Sequence, residues 1–175
     1  MNGLRRTRGD VPRVTVALML VVSVTGCLYG FAGGGLPPHI RTVAILPFDN
    51  LTAEPTLTNE VTEAVREAVE RRLGLRAASA DRADAIVRGT VTRYEPDILL
   101  QVQPGERGQA ANVTARRVQL TVRVEIVDQV EGRTLWQRSS LMVDGEYEPP
   151  REAEGRRRAL EKLVTDIVNG AQSQW

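Results

Sequence analysis

The chain has 175 residues, with 23 Lys or Arg, 22 Asp or Glu, one histidine and one cysteine. Its near-neutral charge provides no basic face for general binding to nucleic acid, and a lone cysteine excludes an intramolecular disulfide. Aromatic residues make up 4% of the chain, which is too few for a surface that stacks bases or sugars.

The N-terminal segment has basic residues followed by an apolar run, as in an export signal. Arginines at positions 5, 6, 8 and 13 precede an uncharged apolar run at residues 14–24. This run is too short to cross a bilayer, which needs about 20 residues, but it fits the apolar core of a signal peptide, about 7 to 15 residues. We therefore predict a signal peptide at residues 1–26.

The cysteine follows this apolar run at once. The small residues Thr25 and Gly26 precede Cys27, and residues 24–27 resemble the bacterial lipobox. That resemblance implies cleavage before Cys27 and attachment of lipid to it, and Leu28 in place of an aspartate favours the outer membrane. The alternatives are an ordinary signal peptide with an incidental cysteine, or a buried helix in an unprocessed chain.

Removal of residues 1–26 changes the charge and leaves one domain. The remaining 149 residues contain 19 basic and 21 acidic side chains, a net charge of −2, and their number suits a single core. Glycines and prolines dominate residues 30–38, so we predict a flexible tether at residues 27–39. The folded domain is predicted at residues 40–175.

Strands and helices alternate along this domain. Residues 42–48 predict a buried strand, and residues 49–55 predict a loop. Apolar positions at helical spacing predict a helix over residues 57–73. We expect Thr56 or Thr58 to cap the start of this helix and Gly74 to cap its end. A strand at 85–94 is predicted to resume at 98–102 after Pro96, and residues 105–108 to form a loop or hairpin tip.

The C-terminal half predicts two antiparallel strands and a final helix. Apolar and polar residues alternate strictly over 118–126, a turn follows at 131–133, and a strand returns over 134–143. An amphipathic helix then ends near Gly170. We therefore predict an α+β fold, a two-layer α/β sandwich with a mixed sheet of about four strands covered on one face by two helices.

No set of residues suggests catalysis, a metal or a cofactor. His39 has no serine near it in sequence, and histidine and cysteine together provide too few zinc ligands. Paired carboxylates such as Asp81 and Asp84 are better explained as solvated charges near strand ends. We therefore predict that the protein is not an enzyme and holds no cofactor.

Two groups of arginines have alternative interpretations. Arg116, Arg117 and Arg123 lie on or beside the alternating strand, where guanidinium groups could bind the phosphates of an anionic glycolipid such as lipopolysaccharide. Solvated strand charges explain them equally well. Arginines 156–158 begin the last helix, and we predict that they form ordinary pairs with acidic residues of that helix.

Residues 36–45, 47–55 and the helix at 57–73, after Cys27 and its tether, resemble the LptE family of lipopolysaccharide-assembly lipoproteins. The resemblance implies a non-catalytic outer-membrane lipoprotein that plugs an LptD-like β-barrel, helps that barrel assemble and contacts lipopolysaccharide. Residues 43–52 also resemble CsgG-like secretion lipoproteins and penicillin-binding-protein activators. CsgG-like pores need extra membrane-inserting hairpins, for which this chain has little room.

Overall fold

The computed structural model describes residues 35–103 and 112–173. The predicted signal peptide, Cys27 and most of the tether lie outside the described residues, as does the predicted hairpin tip at 105–108. Within the described ranges, no helix has the length and apolar character needed to cross a membrane.

The described residues form two helices and six strands, in the order β1 (Thr42–Ile45), β2 (Asp49–Asn50), α1 (Leu57–Leu73), β3 (Arg76–Ala77), β4 (Ala85–Gln103), β5 (Asn112–Asp128), β6 (Arg133–Tyr147) and α2 (Glu152–Gln172). The sheet order is β3-β1-β4-β5-β6, and the short β2 pairs with β4. Strand β1 pairs in parallel with β3 and β4, and β2 pairs in parallel with β4. The β4–β5 and β5–β6 pairs are antiparallel.

The predicted α+β sandwich with a mixed sheet is confirmed, although the sheet has six strands and not about four. The two additional strands, β2 and β3, have two residues each. Asp49–Asn50 was predicted as part of a loop, but it pairs with Thr90 and Val91 of β4. Pairs this short have no hydrophobic periodicity, so the sequence does not reveal them.

Strand β5 shows how the sequence pattern determines the two layers. Five alternate side chains on this strand point to the helices and are buried, namely Val118, Leu120, Val122, Val124 and Ile126. All of them except Val118 belong to one core with Val61 and Val65 of α1 and Leu163 and Ile167 of α2. Because side chains on a strand alternate between faces, the residues between them lie on the opposite face of the sheet.

The helix ends agree with the sequence in part. Gly74 follows α1 with a φ of 67°, the left-handed conformation predicted for it. Side-chain capping at the start of α1 was predicted wrongly for Thr56, whose hydroxyl donates instead to Glu54 Oε1 at 2.7 Å. Helix α2 ends at Gln172, two residues beyond Gly170, and Gly170 lies against the Trp136 ring, where a Cβ atom would collide with it.

Helix α2 approaches β6 closely at a pair of glycines. A Cβ atom on Gly145 would lie 1.9 Å from the carbonyl oxygen of Gly155. A side chain at position 145 would therefore collide with the backbone of α2, so this close approach requires glycine there. This contact holds the first turns of α2 directly over β6.

Candidate functional site

The face of the sheet opposite the helices is a polar surface. No element within residues 35–103 and 112–173 covers it, and on β5 it carries Arg117, Gln119, Arg123 and Glu125, with Thr121 buried among its neighbours. We call this surface the open face. Polar residues on a strand face that packs against nothing remain available to solvent or to a polar partner.

The three predicted glycolipid-binding arginines do not lie together. Arg117 and Arg123 are on the open face, six residues apart on one strand, which separates their Cα atoms by about 20 Å. Arg116 lies on the helix side of β5, opposite Tyr147 of β6, and forms an ion pair with Asp97. A single phosphate cannot contact all three.

The surroundings of Arg117 and Arg123 differ from those of Arg88 and Arg93, which also lie on the open face; Arg93 pairs with Glu95 at 3.3 Å. Arg88 pairs with Glu125 at 2.8 Å, whereas neither Arg117 nor Arg123 forms an ion pair with any described residue. Arg123 borders a shallow depression of about 400 Å³ with Gln137 and Ser139. The open face therefore has two guanidinium groups free to bind an anion.

Glu125 is fixed on the open face as a carboxylate. The Thr134 hydroxyl donates to its Oε1 at 2.8 Å, and Arg88 donates to its Oε2 at 2.9 Å. The Thr134 hydrogen bond, followed by the Arg88 hydrogen bond, lowers the pKa of Glu125. The carboxylate is thus already occupied and offers little to a ligand.

A polar cluster joins the sheet to both helices at their N-terminal ends. The Tyr94 hydroxyl of β4 donates to Glu152 Oε1 of α2 at 2.6 Å, and Arg156 of α2 pairs with Glu60 of α1 at 3.0 Å. Burial, and then the bond to the Glu152 carboxylate, raises the pKa of Tyr94. Arg156 pairs with Glu152 as predicted, but its contacts with Glu60 and Tyr94 link three elements.

At the other end of the sheet, two aspartates hold the segment that enters the domain. Asp128 is fully buried and accepts from His39 Nε2 at 2.8 Å and from the backbone N–H groups of Val130 and Glu131. Asp84 accepts from the N–H of Arg41 and from the N–H and hydroxyl of Thr42. Asp84 is therefore a structural acceptor, not simply a solvated charge.

His39, Asp128 and Glu131 are the described residues that could hold a cation, since one ligand atom of each lies within 4.8 Å of the others. Both oxygens of Asp128 already accept hydrogen bonds, however, and Glu131 pairs with Arg133 at 2.6 Å. These bonds explain the cluster without a metal.

The family model described as "LptE: Lipopolysaccharide-assembly" matches residues 40–170. This chain belongs to the LptE family. The match spans every described helix and strand except the last two residues of α2. It also includes the stretch at 43–52 that resembles CsgG-like lipoproteins, and it favours the LptE assignment over that alternative. No curated protein sequence matches the chain significantly.

Solved structures share the LptE fold at low identity. Protein XCC0632 from Xanthomonas campestris has a TM-score of 0.55 and 14% identity, covering 79% of this chain and 89% of its own. A variant of PelC from Paraburkholderia phytofirmans, a dodecamer, has a TM-score of 0.53 and 14% identity, covering 82% and 94%. At this identity, the similarity establishes the fold alone.

Proposed function

We propose that this LptE-family protein is a lipid-anchored, non-catalytic scaffold that occupies an LptD-like β-barrel in the outer membrane. The observation that carries the proposal is the family match over residues 40–170, which includes nearly all of the folded domain. The chain would support assembly of the barrel and delivery of lipopolysaccharide through it.

The surface of the domain suits a polar lumen. The interior of a barrel of this class is polar, so a plug must be polar outside and must not depend on its partner to cover a large apolar surface. The open face of the sheet carries arginine, glutamine, threonine and glutamate side chains on β5. The helices bury their apolar sides against the sheet and each other.

Attachment to the membrane is proposed to occur through Cys27. Lipid chains contribute about 0.8 kcal/mol per buried methylene, and stable anchoring requires more than one membrane-binding signal. The lipobox resemblance implies several acyl chains on this residue. The tether would allow the lipid to remain in the inner leaflet of the outer membrane while the domain enters the barrel.

Arg116, Arg117 and Arg123 are proposed contacts for lipopolysaccharide. Their positions divide them: Arg117 and Arg123 face outward on the open face, and Arg116 lies on the helix side. We therefore propose that Arg117 and Arg123 contact separate anionic groups of one extended glycolipid. The competing interpretation is that all three are ordinary solvated charges.

Co-purification tests the barrel partnership. The full-length chain, carrying a C-terminal tag and co-expressed with the LptD-like barrel of the same organism, should retain that barrel after extraction in mild detergent. The control is a tagged unrelated lipoprotein expressed at the same level. Recovery of a peptidoglycan synthase in place of the barrel would contradict the proposal.

A further inference from the structure

Strand β6 forms a long open edge of the sheet. Within residues 35–103 and 112–173 it pairs with β5 alone, along 15 residues, whereas the opposite edge strand β3 has two residues. A long edge offers unpaired main-chain donors and acceptors to any strand that can lie beside it. The β6 edge therefore offers a partner strand many more unpaired main-chain groups than the β3 edge does.

The pairing of the inner strands determines which main-chain groups of β6 face outward. The carbonyl oxygens of Val87 and Val91 accept from the N–H groups of Leu46 and Leu51, so these residues of β4 face β1 and β2. Main-chain direction alternates along a strand. Even-numbered residues of β4 before Val91 therefore face β5, and they oppose odd-numbered residues of β5.

Even-numbered residues of β5 consequently face β6. The residues opposite them are Leu141, Val143, Gly145 and Tyr147. The main chain of β6 therefore turns outward at Met142, Asp144 and Glu146. These three residues alternate along the edge with the spacing that an added strand requires.

A groove runs beside this edge. It lies between β6 and α2 and has a volume of about 620 Å³. The contact of Gly145 with Gly155 holds α2 against the strand at one end of the groove. Peptides that add to an edge strand commonly use a wall of this kind for their side chains. Met142, a residue that is 59% exposed, borders the groove.

Two basic side chains of α2 lie across the edge. Arg158 Nη1 donates to the carbonyl oxygen of Glu146 at 2.6 Å, which is one of the outward acceptors. Lys162 Nζ lies 3.0 Å from Asp144 Oδ2. Both basic side chains are about half exposed, and exposed pairs of this kind contribute little free energy. In the free protein Arg158 thus occupies one main-chain acceptor of the edge and Lys162 one of its carboxylates, and both are easily displaced.

We propose that β6 and its groove form a strand-addition site for an extended segment of the LptD-like partner, covered by Arg158 and Lys162 until that segment arrives. The proposal rests on the proposed function. Asp144 and Glu146 favour a segment with basic residues at alternate positions. A second copy of this chain is a poorer occupant, because antiparallel pairing of the same stretch would bring these carboxylates together. The strands of a closed barrel wall have no free edge. The added segment must therefore belong to a part of the partner that is not a strand of that wall.

Proline tests the main-chain contact directly. Met142→Pro removes one outward N–H, and proline is tolerated on an edge strand where the N–H faces solvent. In the co-purification with the LptD-like barrel, we expect this full-length variant to retain about tenfold less barrel, the effect of losing one main-chain hydrogen bond. Met142→Ala, which keeps the N–H, is the matched control and should retain the wild-type amount.

Charge variants test the same site without changing the backbone. Asp144→Lys/Glu146→Lys should reduce barrel retention, and the control Glu63→Lys/Glu67→Lys on α1 should not. Arg158→Ala/Lys162→Ala should increase it. Should Met142→Pro fail to give a wild-type circular dichroism spectrum, these charge variants decide the result.

Three outcomes are distinguishable. Loss of barrel from Met142→Pro and from the edge charge variant supports the strand-addition site. Equal retention by all variants overturns that site and leaves the proposed function intact. Absence of the barrel from the wild-type purification overturns both.

Discussion

The two faces of β5 differ in how their side chains are packed. On the helix side, Leu120 and Val122 are fully buried in the common core. On the open face, Gln119 and Arg123 meet no covering element among the described residues. Stability therefore depends on one face of this strand, and the other is available for recognition. Substitutions on the two faces should separate these roles.

The largest effect is expected for a buried side chain of β5. Leu120→Ala should lower the free energy of unfolding by about 2 to 5 kcal/mol, because it removes apolar atoms from a filled core and leaves a cavity. The neighbouring Gln119→Ala should change it by less than about 0.5 kcal/mol. Chemical denaturation of both variants measures the comparison, and equal losses would contradict the assignment of the faces.

A smaller loss is expected where α2 crosses the sheet. Gly145→Ala would place a methyl group against the Gly155 carbonyl, and overpacking of this kind costs about 1 to 3 kcal/mol. Gly132, in a turn with open space around its Cα, is the control for glycine replacement. Gly132→Ala should cost about 1 kcal/mol through its positive φ alone. Thermal melts of the two variants would rank them.

Acid should weaken the end of the sheet where Asp84 and Asp128 lie. Burial raises the pKa of Asp128, but hydrogen bonds from Glu131, His39 and Val130 outweigh it and leave that pKa lowered. The Arg41 N–H, followed by Thr42, lowers the pKa of Asp84. Both carboxylates therefore stabilise the fold above their unfolded pKa of about 3.9 and lose this contribution as the pH falls through the folded values.

Asp128→Asn tests this pH dependence. The variant should lose about 2 kcal/mol at pH 7, because His39 loses its charged acceptor, and its stability should depend less on pH between 6 and 2 than that of the wild type. Denaturation at a series of pH values measures both effects. A variant with an unchanged acid transition would show that other groups control it.

The smallest effect on stability, and the sharpest on binding, is expected on the open face. Arg117→Ala/Arg123→Ala should change the unfolding free energy by less than about 0.5 kcal/mol and weaken binding to lipopolysaccharide. Arg88→Ala, which removes an arginine already paired with Glu125, is the matched control. Unchanged binding in the double variant would assign both arginines to the solvated surface.

Much of the fold could be predicted from the sequence, because in a long strand or helix the spacing of apolar residues shows which side is buried. The alternation over 118–126 identified the core face of β5, and apolar spacing identified α1. The predicted strands were too short: β4 is continuous past Pro96, which the sheet accommodates as an irregularity in register. Periodicity also cannot detect an element of two residues such as β3.

The candidate sites were less predictable, because they depend on contacts between distant residues. The sequence placed Arg116 beside Arg117, but neighbours on a strand point to opposite faces, and the structure separates them. Nothing local marks Asp128 as the acceptor for His39, 89 residues away. Arginines 156–158 form the expected pairs within the helix, yet Arg158 also donates to the Glu146 carbonyl at the edge of β6, a contact that helical spacing does not reveal.

Depletion of this protein in the organism that encodes it tests its role in lipopolysaccharide assembly directly. Depleted cells should lose the folded LptD-like barrel from the outer membrane and accumulate lipopolysaccharide in the inner membrane. The wild-type chain should reverse both effects, whereas Cys27→Ala should not. Normal barrel levels and normal lipopolysaccharide at the cell surface after depletion would contradict the assignment of the protein to lipopolysaccharide assembly.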